Sequence, residues 1–263
     1  MQGSKTLFKY KSKKGKQTMK SKSKIVAIML TVILVVAAVT VLVACEKETT
    51  KVAYGLVHKQ GYVGKATVIV VGDTIISAEL DEACLPTYVK ATEINDYTVQ
   101  ASGGIFYKTV RFDDVTMTYD VEQNTYVVGN QTMTKFFEIA SNCEKYFEAV
   151  AENRVSVVTA SGNDNGILTA SALLKSQNSY WSGNSIRDGQ LGWKANADAT
   201  CKYVLENGFD GASEKSDFSV QDNSTANANL DNEIVDKNGK RTGATWTDFW
   251  DYFVLLKTAY ASN

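Results

Sequence analysis

The chain has 263 residues, 44% of them apolar, with 28 basic and 29 acidic side chains. That apolar share supports a packed core and excludes a disordered chain, and the length suffices for one large domain or two small ones. The single histidine, His58, excludes a His-rich zinc site; the absence of G-x-S-x-G, G-x-x-x-x-G-K-[ST] and G-x-G-x-x-G removes support for serine-hydrolase, P-loop and dinucleotide-binding chemistry.

Residues 1–24 hold nine lysines and no acid, and residues 25–43 are nineteen positions without a charge. A basic n-region followed by an apolar h-region reads as a targeting leader. The leader closes on Leu42-Val43-Ala44-Cys45, which resembles a bacterial lipobox: a branched apolar residue, a permissive one, a small one, then the cysteine that becomes the lipidated N-terminus. An uncleaved membrane anchor is the other reading, since about twenty apolar residues span a bilayer. The lysines stay cytoplasmic in either case, so both readings place residues 46–263 on the extracytoplasmic face of the cell membrane. The position of Cys45 favours lipid attachment. The leader thus occupies 1–44, and 45–60 reads as the lipidated cysteine and a tether. Nine of the 28 basic residues fall in the leader, leaving 19 against all 29 acidic ones, a formal charge near −10 for the mature part. An acidic surface argues against nucleic acid as a partner.

Beyond the tether, 61–80 predicts a hairpin. Residues 62–71 are rich in β-branched side chains, Val71-Gly72-Asp73-Thr74 supplies the turn, and 74–80 returns. Residues 105–119 read as further strand, with a bend at Asp113-Asp114, and 125–128 as a short strand. In 134–152, Phe136, Ile139, Ala140, Cys143, Phe147 and Val150 recur at helical spacing and predict one amphipathic helix. Residues 155–159 are strand-like, 167–176 a weaker helix, and 195–207 a helix closed by Gly208. Residues 210–240 are poor in apolar side chains and read as a polar surface loop. Strands and helices are mixed with hairpin spacing, so the expected class is α+β with a mainly antiparallel sheet, a single elaborated domain over 61–263. Of the remaining cysteines, Cys143 and Cys201 fall in helical stripes and read as buried thiols; with Cys84 the count is odd, so at most one bridge plus a free thiol stays open. His58 reads as a surface or edge histidine.

The chemistry is expected at Thr242-Gly243-Ala244-Thr245, just ahead of an aromatic stripe of Trp246, Phe249, Trp250, Phe253, Leu256 and Tyr260. Thr245 with Asp248 three residues on reads as a capping box at the start of a terminal helix. Free N–H groups and the helix dipole at such a start favour an anion, and Gly243 and Ala244 let a bulky group approach the backbone. A plain helix cap followed by a core stripe accounts for the same residues.

Thr-Gly-Ala-Thr before a terminal helix resembles the flavin-attachment signature of the FMN-binding domain family, found in extracellular electron-transfer lipoproteins and in subunits of sodium-pumping quinone reductases. Gly61-Tyr62-Val63-Gly64-Lys65-Ala66-Thr67-Val68 resembles the family's opening strand. The resemblance implies an FMN carried covalently on Thr245 through a phosphoester added by a flavin transferase, with Thr242, Gly243 and Ala244 completing the motif. It also implies electron transfer from a membrane donor, such as an NADH dehydrogenase or the quinone pool, to an external acceptor. In the family an aspartate usually stands three residues before the motif; here that place is Gly239 and the nearest acid is Asp236. A second reading is a solute-binding or surface-adhesion lipoprotein without redox chemistry, for which Trp181 and Trp193 would be exposed contact residues. A hydrolase built on Asp81 and Glu82 is disfavoured, because adjacent strand residues point to opposite faces.

Overall fold

The computed structural model describes residues 47–91, 97–99, 107–159, 165–182, 191–221 and 232–262. The leader and Cys45 lie outside the described residues, as do 105–106 of the expected strand and 222–231 of the expected polar loop. The fold is α+β, and every strand pair among the described residues is antiparallel.

The part of the molecule that carries the site is a three-stranded sheet in the order β1 (Glu48–Val57), β2 (Tyr62–Val71), β3 (Thr74–Cys84). The β2–β3 hairpin turns where the sequence predicted. Strand β1 is a correction, because 45–60 read as a tether. Its alternation of Val52, Tyr54 and Leu56 is sheet-like, but charged Glu48 and Lys51 open it. The strand gains its stability from pairing with β2 in a register that sets Gly55 opposite Gly64.

The two faces of β2 are covered differently. Gly64, Ala66, Val68 and Val70 are buried on one side, while Lys65, Thr67 and Ile69 alternate with them and are only half-buried. The terminal helix, labelled α6 below, packs on the fully buried side. A Cβ at Gly64 would stand 2.8 Å from Leu255 Cδ2 and 2.9 Å from Val57 Cγ1, so glycine is what admits the helix there. The other face meets a helix through Tyr54, whose ring lies 5.8 Å from Phe147, and Lys65, whose ammonium is 3.2 Å from the Glu148 carboxylate.

After a one-turn 3-10 helix at Pro86–Tyr88 and the short pair β4 (Val89–Ala91) and β5 (Tyr97–Val99), the chain builds a second sheet. Its strands are β6 (Tyr107–Phe112), β7 (Val115–Asp120), β8 (Thr125–Val128), β9 (Gln131–Thr132), β10 (Val155–Thr159) and β11 (Asn165–Leu168), ordered β11-β10-β6-β7-β8-β9. The expected bend between β6 and β7 is there, with Asp113 at φ 46°, a region Asp tolerates better than most residues.

The single helix expected over 134–152 is two: α1 (Met133–Phe137) and α2 (Ala140–Ala151). Ile139 at the break is extended and exposed, not core. The carbonyls freed by the break are used: Asn142 Nδ2 donates to Phe136 O at 2.8 Å, and Cys143 Sγ to Phe137 O at 3.0 Å. Breaking there buries Phe136 and Phe137 together against Phe112. Residues 167–176 are also divided, between the end of β11 and the short α3 (Ala170–Leu173). Helices α4 (Ser179–Ser182) and α5 (Trp193–Asn207) follow, the latter ending at Gly208 as expected.

The loop expected over 210–240 contains structure. Strand β12 (Phe218–Gln221) pairs with β13 (Glu233–Asp236), whose four residues are all buried. Helix α6 (Phe249–Ala261) closes the fold; of the expected stripe it buries Phe249, Phe253 and Leu256, together with Tyr252 and Leu255, while Trp250 and Tyr260 are half-buried and Trp246 precedes the helix. Residues 48–263 form one unit. Among the described residues no helix is long and apolar enough to cross a membrane.

Candidate functional site

Thr242-Gly243-Ala244-Thr245 is an extended segment laid against β13. Thr242 donates its N–H and its hydroxyl to Ile234 O at 3.0 and 2.8 Å, and Ala244 O accepts Ile234 N–H at 2.8 Å. Gly243 has φ +75°, the left-handed region open to glycine, and Ala199 Cβ would lie 3.5 Å from any Cβ placed there. The turn leading into this segment is held by Asp236, which accepts from Asn238 N–H at 2.9 Å, Lys240 N–H at 2.8 Å and the Tyr203 hydroxyl at 2.8 Å.

Two features of the expected anion site are corrected. Thr245 is not the N-cap: the chain makes a turn through Trp246–Asp248, and α6 starts at Phe249 with Asp248 in the cap position. The motif's N–H groups are also occupied. Gly243 N–H is bonded to the buried Glu233 carboxylate at 2.9 Å, Ala244 N–H to Thr242 Oγ1 at 3.1 Å, and Thr245 N–H to Asn196 Oδ1 at 2.6 Å. The positive end of α6 meets Asp248 and Asp251 of its own first turn. The reason is local: an aromatic Trp246 that packs flat on Tyr252, with centroids 3.8 Å apart, needs a turn between them before the helix begins.

Thr245 itself borders a hollow. It is 4% exposed and lines a cavity of about 300 Å³ with Trp181, Trp193, Trp246 and Tyr252, at the lower end of small-molecule sites. Its Oγ1 accepts from Leu191 N–H at 3.0 Å and stands 3.4 Å from Asn196 Oδ1. Thr242, Gly243 and Ala244 support Thr245 from behind and do not line the cavity. Trp181 and Trp193, expected as exposed, are half-buried and buried, and both face the cavity.

The cavity also gathers residues the sequence reading assigned no role there. His58 Nδ1 lies 2.6 Å from Asp248 Oδ2 at one lip, which holds the Asp248 carboxyl below the usual carboxylate range. His58, Lys59 and Gln60 run through φ values of 50°, 54° and 66°, three left-handed non-glycine residues in a row. Asp248 and Asp251, from the start of α6, hold that turn; burial and then the Asp248 charge push the Asp251 carboxyl up, while backbone N–H groups of Lys59 and His58 pull it the other way. Behind the cavity, Glu82 is fully buried, 2.6 Å from Lys175 Nζ, and accepts from Trp193 Nε1. The Tyr252 hydroxyl meets the same carboxylate; burial first, and Glu82 next, push that phenol well up. These residues come from five separate stretches with no shared spacing, so no motif reports them. Asp248 carried a signal only as the expected capping-box partner of Thr245, and Tyr62, next to the cavity lining, through its place in the Gly61–Gly64 segment. The Tyr62 ring centroid is 5.2 Å from that of His58.

A larger hollow of about 690 Å³ lies on the other face of β2–β3, lined by Lys65, Asp81, Ser176, Lys194 and Cys201, and shares no residue with the Thr245 cavity. Asp81 faces this hollow while Glu82 faces Lys175, so the two carboxylates act apart. The Cys84, Cys143 and Cys201 thiols are buried and free, and burial pushes each up to about 12, which makes them unreactive. Among the described residues no cluster of three or more His, Cys, Asp or Glu is placed to hold a metal ion. No protein-family model, curated protein or solved structure matches the chain.

Proposed function

We propose that this chain is a lipid-anchored extracytoplasmic flavoprotein, attached to the membrane through Cys45, that carries electrons through FMN bound covalently at Thr245. The observation that carries the reading is the location of Thr245: the last residue of the Thr-Gly-Ala-Thr motif lines an aromatic cavity beside Tyr62 of the other flavin-family segment. The aromatic lining fits the ring of such a group. Trp181, Trp193 and Trp246 offer flat apolar walls to a conjugated ring, and Trp246 Nε1 is a buried donor without a partner among the described residues. Thr245 Oγ1 accepts its contact from Leu191, and an ester oxygen there can still accept.

When bound, the flavin supplies reversible electron transfer; the protein holds it and sets its surroundings. Asn196 fixes the Thr245 backbone, Glu233 and Ile234 fix the two residues before it, and the tryptophans exclude water from the ring. A lipid anchor keeps the carrier near a membrane donor such as an NADH dehydrogenase or the quinone pool, and an extracytoplasmic mature domain puts the acceptor outside the cell. Nucleic acid has no place in this account.

The reading predicts that Thr245→Ala, produced together with a flavin transferase, carries no covalent flavin while Thr245→Ser keeps it. Full covalent loading of Thr245→Ala would overturn the assignment. One observation favours a second reading, a reversible solute site without redox chemistry: the Thr245 hydroxyl is buried and already engaged by Leu191 and Asn196. That reading predicts a colourless protein under the same conditions.

A further inference from the structure

The chain leaving α3 adds to the end of β3. Ala83 and Leu174 form an antiparallel bridge, and Lys175 N–H bonds to Glu82 O at 2.9 Å. This places the Lys175 side chain, 3% exposed, against the back of the Thr245 cavity. Its ammonium lies 3.6 Å from the Tyr62 ring centroid, 4.5 Å from that of Trp181 and 5.9 Å from that of Trp193. Ring faces attract a cation at such distances. The counter-charge, Glu82, does not line the cavity. Its oxygens are engaged by Lys175, Trp193 Nε1 and the Tyr252 hydroxyl. The pair is therefore a dipole with its positive end toward the cavity. Among the described residues, the other charged groups lining the cavity are His58 and Asp248, which pair with each other at the lip.

We propose that Lys175 is a positioning residue that stabilises negative charge on the conjugated ring held in the cavity, so that the site prefers the reduced, anionic ring to the oxidised, neutral one. The proposal rests on the flavin reading for the identity of the ring. On reduction the ring takes two electrons from the membrane donor and one proton from water, and keeps one net negative charge. A fixed ammonium in a place with little water favours that charge more than it would in solution.

The test is the midpoint potential of the flavin-loaded protein. Lys175→Met is expected to lower it by at least about 30 mV, the equivalent of a tenfold loss of preference for the reduced form in a two-electron couple, with covalent flavin content unchanged. Removing one member of a buried ion pair strands the other, so Lys175→Met combined with Glu82→Gln is measured alongside; it removes both charges and is expected to lower the potential in the same direction. A potential equal to the parent's in whichever variant folds overturns the proposal and leaves flavin attachment standing. If the denatured parent carries no flavin, attachment fails independently, and the same proteins are titrated with riboflavin. Riboflavin kept reduced should then bind the parent at least tenfold tighter than oxidised riboflavin, and the variants should lose that difference. Equal affinities of the parent for the two forms overturn the proposal.

Discussion

Gly243 shows how much of the site depends on single backbone positions. At φ +75° an L-residue bears a cost of about 1–2 kcal/mol. Gly243→Ala is therefore expected to lose about that much stability in urea unfolding, with the m-value unchanged. A loss below a few tenths would show that the segment relaxes to another conformation. Asp248 has a pH signature. Its folded pKa lies below its unfolded value, the hydrogen bond from His58 being the main cause, so the stability it contributes is present above the ordinary carboxylate pKa of about 3.9. That stability is lost as pH falls through the lower folded value. In Asp248→Asn the deficit relative to the parent should be constant near neutrality and shrink on acidification, vanishing below the folded pKa. A deficit that stayed constant down to the acid transition would mean the His58 pair adds nothing. The motif singles out Thr245 from the sequence alone. Its neighbours Lys175, Glu82 and Asn196 were not legible there, because each acquires its role only from a strand bridge or helix start elsewhere in the chain.

Among the elements, legibility followed the strength of local pattern. The β2–β3 hairpin, the Asp113 turn, β8, β10 and the α5 stop at Gly208 were readable because period-2 runs and turn residues act over a few positions. Strand β1 was not, since an edge strand with charged residues at its start resembles a tether until its partner is known. The α1–α2 break was hidden for a related reason: Ile139 keeps the helical spacing, and only the side chains of Asn142 and Cys143, bonding back to freed carbonyls, make an interruption affordable there. The contact between β2 and α6 is the element-level test. Gly64→Ala would put a Cβ within 3 Å of both Leu255 and Val57, an overpacking expected to cost about 1–3 kcal/mol. Because Asp248 stands at the N-cap of α6 and Tyr252 lies on that helix, the same change should perturb the cavity. Gly55, whose Cβ would meet Leu255 at 3.4 Å, should accept alanine with a smaller loss. Equal losses at the two glycines in thermal unfolding would contradict this account of how the helix seats on the sheet.

For the whole molecule, the informative fact is convergence. The leader, the Gly61–Gly64 segment and the Thr242–Thr245 segment are separate in sequence; Thr245 lines the cavity, and Tyr62 stands just outside its lining, with its ring 5.9 Å from that of Trp181 and 3.6 Å from the Lys175 ammonium. The sequence could suggest both segments but not the aromatic enclosure between them, which needs Trp181 and Trp193 brought in from segments that carry no motif. Covalent flavin at Thr245 is the claim on which the rest depends. The direct measurement is the visible spectrum and intact mass of the protein, produced with a flavin transferase and then denatured. The account predicts flavin absorbance that stays with the unfolded chain, and a mass gain of one FMN that maps to the peptide containing Thr245. A colourless chain of unmodified mass would contradict it and leave Thr245 as a structural residue beside a solute cavity.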